Sequence, residues 1–427
     1  MEFIRHLPET ALALVRYYGR KLWVRVTIMG LFAFVALGLS QLVEPLVPQD
    51  MATRLPGSAA DRLLNLIANA MLAVTTFSLT VMVSVYQSSS TQWTPRVHQL
   101  IMQDAVTQNT LAAFIGAYVY ALVAIVLREV GIYVDDRALV LFWLTVLVLA
   151  FVVWSLIRWV LHLQTLGSLV DTTRQVEDIA RRQFEERLQT PCLGACPWDG
   201  AVPEGTEPIR AAQSGYVQHL YPEALQQEAC KHDVSLYFAR QIGSFVFVNQ
   251  PLFWVDGTPD DAEALANAVR ELAVLGDVRT YDQDPRFGLL VMSEIGSKAL
   301  SPGINDPGTA IDVLNRSGRI LSLYQDETKL DEAPQYDRLH VRPLDPVDLI
   351  VDAFAGIARD GAGVIEVQQR LQRVMAGLIQ HPDPGLRDAA RDLGAEFLER
   401  AVAAIDWAPD QDRLRAKAAE GVRKESG

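Results

Sequence analysis

The chain has 427 residues, half of them apolar, and a formal net charge of −13. This length suggests two or three domains, and the acidity argues against a nucleic-acid partner, which would require a basic surface. The three cysteines, Cys192, Cys196 and Cys230, do not pair into a disulfide framework and are typical of a reducing compartment.

The first 23 residues carry basic side chains between apolar and aromatic ones, and predict a segment at the membrane surface. This segment is either a specific lipid contact or a lead-in whose positive charges stay on the cytoplasmic side. Residues 24–43 follow as the first of four predicted transmembrane helices. Together these helices predict a membrane domain over residues 24–162 that contacts the lipid bilayer.

The second predicted span, residues 63–86, is long enough to cross a bilayer but unusually polar. At about 100° per residue, six polar side chains fall on or beside an arc of about 60°. This polar stripe consists of Asn65, Asn69, Thr76, Thr80, Ser84 and Gln87. Because lipid-facing amides and hydroxyls are costly, the polar stripe must contact protein or water. It therefore predicts either a pore lining or a helix-packing face.

Residues 111–127 and 138–161 are the third and fourth predicted spans. Lys and Arg concentrate before the first span and after the fourth span, and the 87–110 loop, with Arg96 and His98, falls on the same side, whereas the other two loops are mixed or acidic. The positive-inside rule therefore places the N-terminus and the C-terminus in the cytoplasm, and four spans agree with that parity.

The rest of the chain predicts a soluble α+β region in four parts. Residues 163–207 form a helical extension and linker, and residues 208–258 form a small β-barrel or sandwich. A mainly helical cytoplasmic subdomain follows over residues 259–410. The charged residues 411–427 predict a flexible tail. The fold class is thus an α-helical membrane protein with four transmembrane helices and a soluble α+β C-terminal region.

The most distinctive soluble stretch is KALSPGINDPGTA, residues 298–310. Its two prolines and two glycines shape the backbone, and Asp306 before Pro307 predicts an N-cap followed by a helix. The stretch is either a well-capped turn or a loop that binds an ion, an anionic ligand or a neighbouring subunit. The candidate residues for such binding are Ser301, Pro302, Gly303, Asn305, Asp306, Pro307 and Thr309.

The chain resembles a family of predicted bacterial membrane proteins of unknown function through the segments FSLTVMVSVYQSSSTQWTPRV, RTYDQDPRFG and ALSPGINDPGTA. Within these segments, the SPGINDP string is specific. The resemblance covers nearly the whole chain. It implies a multi-pass inner-membrane protein with a cytoplasmic C-terminal domain, and it supplies no reaction, substrate or cofactor.

Two possible metal sites have less support in the sequence than the polar stripe or the SPGINDP stretch. Cys192 and Cys196, spaced C-x3-C, precede His219, Cys230 and His232, which would suit either a zinc site or reduced loop cysteines. Five acids would suit either a hard-cation site or a scattered acidic surface, namely Asp282, Asp284, Glu294, Asp306 and Asp312. The metal is therefore left unknown and no cofactor is predicted.

Three functional hypotheses from different classes follow. The first is a homo-oligomeric channel or transport protein, in which the polar stripe lines a path for ions and the cytoplasmic domain regulates it. The second is a membrane-anchored sensor or scaffold, in which the stripe packs helices and the soluble domain binds a ligand or partner. The third is an enzyme, which the sequence disfavours because it has no phosphate-binding, dinucleotide, nucleophile-elbow or zincin motif.

Overall fold

The computed structural model describes residues 57–102, 104–130, 138–164, 168–329 and 333–423, together with isolated positions between 23 and 38. Residues 1–22 of the predicted basic segment and most of the predicted first span, 24–43, lie outside the described residues. Two compact units make up the chain, Met1–Asp171 and Thr172–Gly427.

The first unit is helical. Its described helices are α1 (Gly57–Gln92), α2 (Pro95–Met102), α3 (Ala105–Glu129) and α4 (Ala138–Leu163). Three of them contain apolar stretches long enough to cross a membrane, over Ser58–Ser88, Val106–Glu129 and Leu141–Leu163. These stretches match the second, third and fourth predicted spans. Four transmembrane helices are not confirmed, because the first predicted span falls largely outside the described residues.

Helices α1, α3 and α4 pack around one apolar core. Its fully buried side chains include Leu64 from α1, Phe114 from α3, and Leu141 and Trp159 from α4. Within this core the Tyr120 and Thr145 hydroxyl oxygens lie 2.9 Å apart, which joins α3 to α4. The Thr145 hydroxyl also donates to the carbonyl of Leu141, so these polar groups are paired inside the packed helices.

Polar pairs tie the helices at both ends. Near the start of α1, Asp61 accepts a hydrogen bond from Arg128 at the end of α3, with Nη2 and Oδ2 2.9 Å apart. At the opposite ends, Asp104 before α3 lies 2.8 Å from His162 near the end of α4. The segment between α1 and α3 therefore shares one end of the helix group with the end of α4, as the predicted sidedness of the loops requires.

The second unit is α+β. Its helices are α5 (Leu169–Gln189, which begins in the first unit), α6 (Pro222–Lys231), α7 (Ala262–Glu271), α8 (Pro285–Ala299), α9 (Pro307–Leu321), α10 (Pro346–Ile350), α11 (Gly356–Asp360), α12 (Ile365–Leu378), α13 (Pro384–Ala404) and α14 (Ala408–Arg423). Its strands are β1 (Ala195–Pro197), β2 (Glu207–Arg210), β3 (Gly215–Leu220), β4 (Ser235–Phe238), β5 (Phe245–Val246), β6 (Pro251–Asp256), β7 (Ala273–Gly276) and β8 (Tyr336–Val341).

These strands form two open sheets, so the predicted barrel over residues 208–258 is not confirmed. The larger sheet has the order β1-β8-β4-β6-β2, and the smaller one has the order β5-β3-β7. The strands β1, β7 and β8 come from outside residues 208–258, and β8 pairs in parallel with both β1 and β4. The strands of the predicted barrel are thus completed by distant segments, and side chains such as Phe238 and Phe253 fill the core beneath them.

The helical part of the structure continues beyond residue 410 into the segment 411–427 that was predicted as a flexible tail. Helix α14 runs to Arg423, and residues 424–427 lie outside the described residues. Leu414 is fully buried against Ala401 and Ile405, and the side chain of Gln411 donates hydrogen bonds to the carbonyls of Val402 and Ile405. The buried side chain of Leu414 and the amide of Gln411 therefore attach α14 to the rest of the helical part. The charged residues around them make this attachment hard to predict from the sequence.

Candidate functional site

All six side chains of the polar stripe are exposed on the surface of the described chain. Residues that face the core of the helix group, such as Leu64, Ile67, Met71 and Ser78, lie on the other side of α1. At about 100° per residue the two sets are centred roughly opposite each other. The stripe therefore makes none of the contacts by which α1 packs against α3 and α4.

Part of the polar stripe is satisfied by its own helix. The hydroxyls of Thr76 and Thr80 donate to the carbonyls four residues earlier, at 2.9 and 3.0 Å, and the Asn65 amide donates to the carbonyl of Asp61 at 2.9 Å. No described residue offers a hydrogen bond to Asn69 or Ser84. These two side chains thus require a partner from elsewhere.

Apolar side chains border the polar stripe on both sides. Leu72 and Leu79 are exposed along one border, and Leu66 and Phe77 are exposed along the other. The stripe is therefore a narrow polar line on an otherwise apolar surface. On such a surface, contact between the polar groups and lipid is unfavourable, whereas the apolar margins pack well against another helix.

The SPGINDP loop is a compact capped turn. Asp306 accepts from the backbone N–H of Thr309 at 3.1 Å and from its hydroxyl, which confirms the predicted N-cap. The hydrogen bonds from Thr309 lower the pKa of Asp306 and outweigh the effect of burial. Asn305 takes a positive φ of 51°, which asparagine tolerates. Ser301 closes the turn by accepting backbone hydrogen bonds from Ile304 and Asn305.

Four helices of the second unit have an N-cap of the same kind as Asp306. Helices α8, α9, α10 and α13 each begin with proline after an aspartate whose carboxylate accepts a backbone hydrogen bond: Asp284 from Phe287, Asp306 from Thr309, Asp345 from Val347, and Asp383 from Leu386. Because Asp306 itself occupies the positive end of α9, this end is already neutralised against an anionic ligand. The Asp-Pro pair in the loop is therefore explained by helix capping.

Helix α9, which the loop introduces, is held by a buried carboxylate that the sequence reading missed. Glu177 of α5 is 5% exposed at its side chain and accepts from Arg316 and Arg319, three residues apart on α9. Removing this carboxylate leaves the guanidinium of Arg319 without its partner and that of Arg316 with Asp312 alone. The spacing of the two arginines is the one sequence signal that could have indicated a shared acid.

The proposed zinc ligands are not brought together. Cys192 is buried beside Glu327, and burial followed by that carboxylate raises the pKa of its thiol to about 12. Cys196 lies against the carbonyl of Asp337, and Cys230 is exposed. Among the described residues, no three His, Cys, Asp or Glu side chains form a group able to hold a metal ion. Cys192, Cys196 and Cys230 are thus free thiols.

The proposed cation site is dispersed as well. Asp284 pairs with Arg279 at 2.9 Å in addition to capping α8. Burial raises the pKa of Asp284 more than Arg279 lowers it. Asp312 pairs with Arg316 within α9. Three of the five acids, counting Asp306, are therefore committed to caps and ion pairs.

A cleft of about 290 Å³ lies in the described second unit. Its lining includes Tyr324, Asp326, Glu327, Lys329, His381 and Asp383. Lys329 pairs with Asp326 and lies within 3.6 Å of Asp383, and Glu327 pairs with the buried Arg187. Each of the three acids that line this cleft therefore has a cationic partner.

A second polar group that the sequence reading missed is the Asp104–His162 pair. The carboxylate of Asp104 also accepts from the backbone of Thr107 at 2.7 Å. Burial raises the pKa of Asp104, but the hydrogen bonds with His162 and Thr107 outweigh burial and lower it. Asp104 is thus a charged cap that joins α3 to α4.

A family model described as predicted membrane protein, DUF2254, matches residues 19–377. The chain belongs to the DUF2254 family. This confirms the resemblance drawn from the sequence and the assignment as a predicted membrane protein of unknown function.

Curated relatives of this DUF2254 protein include uncharacterized proteins Mb1321c of Mycobacterium bovis and MT1328 and Rv1290c of Mycobacterium tuberculosis. Each is 29% identical over 343 residues, which cover 73% of this chain and 62% of the relative. The chain thus matches less than two thirds of their length. No solved structure matches it.

Proposed function

We propose that this DUF2254 protein is a homo-oligomeric channel or transport protein of the bacterial inner membrane. The N-terminus and the C-terminus face the cytoplasm, and the second unit is a cytoplasmic regulatory domain. The observation that supports this proposal is the exposure of the entire polar stripe on a face of α1 that no described helix covers.

Contact of the polar stripe with lipid would be costly in free energy. A polar stripe against lipid would leave amide and hydroxyl groups in hydrocarbon, where unsatisfied polar groups cost several kcal/mol each. A symmetry axis gathers the same face from every subunit, so a single stripe on α1 suffices to line a complete path. Asn69 and Ser84, which no described residue satisfies, then bond to water or to the same residues of neighbouring subunits.

Selectivity at the level of the stripe comes from neutral dipoles, because its side chains are amides and hydroxyls. Discrimination between ions is therefore modest within the membrane. The overall charge of −13 favours cations over anions near the protein. Ions are accordingly the proposed substrate class.

The alternative is a membrane-anchored sensor or scaffold, in which another helix covers the stripe without water. The observation that favours it is the local hydrogen bonding of Thr76, Thr80 and Asn65, since groups satisfied by their own helix need no water. In that case the predicted first span, 24–43, or a neighbouring subunit supplies the covering surface.

The test uses the full chain reconstituted in vesicles. Asn69→Leu should reduce ion flux strongly while leaving oligomer size unchanged, and Thr76→Leu with Thr80→Leu should block it. Ala70→Leu is the matched control, because it adds the same side chain at the next exposed position, about 100° around the helix. Control and wild type should conduct alike.

Thiol accessibility separates the two functions. Cysteines placed at positions 69, 76 and 80, in a background without native cysteines, should react with small charged reagents if the stripe is wet. Protection of all three positions, together with absence of flux in the wild type under voltage, tension and osmotic load, would reject the channel in favour of the scaffold.

A further inference from the structure

An exposed aromatic surface lies on the smaller sheet of the second unit. The rings of Phe245 and Tyr216 are 5.0 Å apart, and those of Phe245 and Phe247 are also 5.0 Å apart. Phe245 is 41% exposed, Phe247 is 59% exposed and the adjacent Val248 is 49% exposed. The three rings form a continuous row that begins on β3, crosses the edge strand β5 and continues into the loop after it.

The loop that presents this aromatic surface is well fixed. The backbone N–H of Val248 donates to the hydroxyl of Ser214 at 2.9 Å, and that of Asn249 donates to the carbonyl of Ala211 at 2.9 Å. The N–H of Phe247 donates to the side chain of Gln250. These rings are therefore held outward by a structured turn.

Three arginines surround the same loop. Arg210 donates to the carbonyl of Asn249 at 2.8 Å, Arg240 donates to Gln250 and to the carbonyl of Pro251, and Arg270 donates to the carbonyl of Arg210 at 2.8 Å. None of the three forms an ion pair with a carboxylate in the part of the chain that the structure describes. Most arginines of the second unit do form one, for example Arg187, Arg279, Arg286 and Arg316.

We propose that this surface, Tyr216, Phe245, Phe247 and Val248 with Arg210, Arg240 and Arg270, docks the second unit onto anionic phospholipid headgroups of its own membrane. The phenylalanines enter the boundary between headgroups and acyl chains, and the arginines bind lipid phosphates. Guanidinium groups without internal carboxylates are the complementary charges for such a surface. The proposal is independent of whether the polar stripe conducts ions.

Membership of the chain in a membrane-protein family makes weak docking sufficient. The second unit begins at Thr172, shortly after the candidate span that ends at Leu163, so the bilayer is present at high effective concentration. A second copy of the chain is a poorer occupant. Two half-exposed phenylalanines offer roughly 200 Å², whereas each partner of a stable interface buries about 800 Å².

The experiment places a nitroxide on Val248→Cys in the full chain, with the native cysteines removed, in nanodiscs. The readout is the ratio of collisions with oxygen, which concentrates in lipid, to collisions with a water-soluble nickel chelate. Val202→Cys is the matched control, because Val202 is 48% exposed in the same unit. In discs containing phosphatidylglycerol we expect a several-fold higher ratio at 248 than at 202, and a smaller difference in pure phosphatidylcholine.

Charge variants test the role of the arginines. Arg210→Gln with Arg270→Gln should lower the docking equilibrium about five-fold for each charge removed and bring the ratio at 248 towards that at 202. The variant with lysine at both positions should retain docking, and an unchanged spectrum at 202 shows that the fold is intact. Equal ratios at 248 and 202 in anionic discs would overturn the proposal. Spin–spin broadening at 248 in lipid-free detergent would also overturn it, in favour of a second copy.

Discussion

Replacing Asp306 with alanine removes the carboxylate that accepts from the backbone and hydroxyl of Thr309 at the start of α9. Loss of an N-cap costs about 1 kcal/mol, which corresponds to about a five-fold increase in the local opening constant. Hydrogen exchange of the full chain should therefore be about five-fold faster over residues 308–311. The exchange of α13 should stay unchanged, since that helix has its own cap at Asp383.

The pH dependence of the same cap gives a second readout. Because the hydrogen bonds lower the pKa of Asp306 in the folded state, its charged form stabilises α9 fully above its ordinary pKa of about 4 and this stabilisation is lost as pH falls through the lowered value. Asp306→Asn keeps an acceptor and should lose this pH dependence with little loss of protection at pH 7. Unchanged exchange over residues 308–311 in the alanine variant would refute the assignment of Asp306 as the cap.

Three further predictions concern the backbone, the core and the topology. Gly243→Ala should lower the melting temperature by an amount equivalent to at least about 1 kcal/mol, because this glycine has φ of +80° and a methyl there would meet the carboxylate that caps α8, whereas Gly303→Ala meets no atom within 4 Å and should be near neutral. Glu327→Gln should destabilise the second unit by roughly 3–5 kcal/mol in a denaturation experiment, because it leaves a buried guanidinium without its charged partner. A cysteine at Asp136 should react with an impermeant thiol reagent from outside the cell and one at Asp260 should not; the reverse pattern would place the C-terminal region in the periplasm.

The membrane half was the more predictable part of the chain. Long apolar runs identify spans directly, because the bilayer requires about 20 apolar residues and all backbone hydrogen bonds within the helix. The same periodicity placed the polar stripe on one face. It could not show that this face is opposite to the packing surface, because Asn69 and Ser78 are both polar and only contacts with α3 and α4 make one exposed and the other buried.

In the soluble half, local chemistry was predictable and long-range pairing was not. The cap at Asp306 follows from its own residue and the proline after it. The sheet does not follow from residues 208–258, because its parallel pairs join Ala195–Pro197 to Tyr336–Val341 and the latter to Ser235–Phe238. Such pairings depend on contacts between distant segments, for which the sequence carries no local signal.

The same contrast indicates where function should be sought. The aspartate and proline of the SPGINDP string recur at three other helix starts, so their presence is accounted for by stability alone. The polar stripe has no such account, since an exposed Asn69 in a membrane span reduces stability unless something pairs with it. A feature that costs stability and is not used in the packing of the described helices is the stronger candidate for function. Functional assays should therefore target residues along α1.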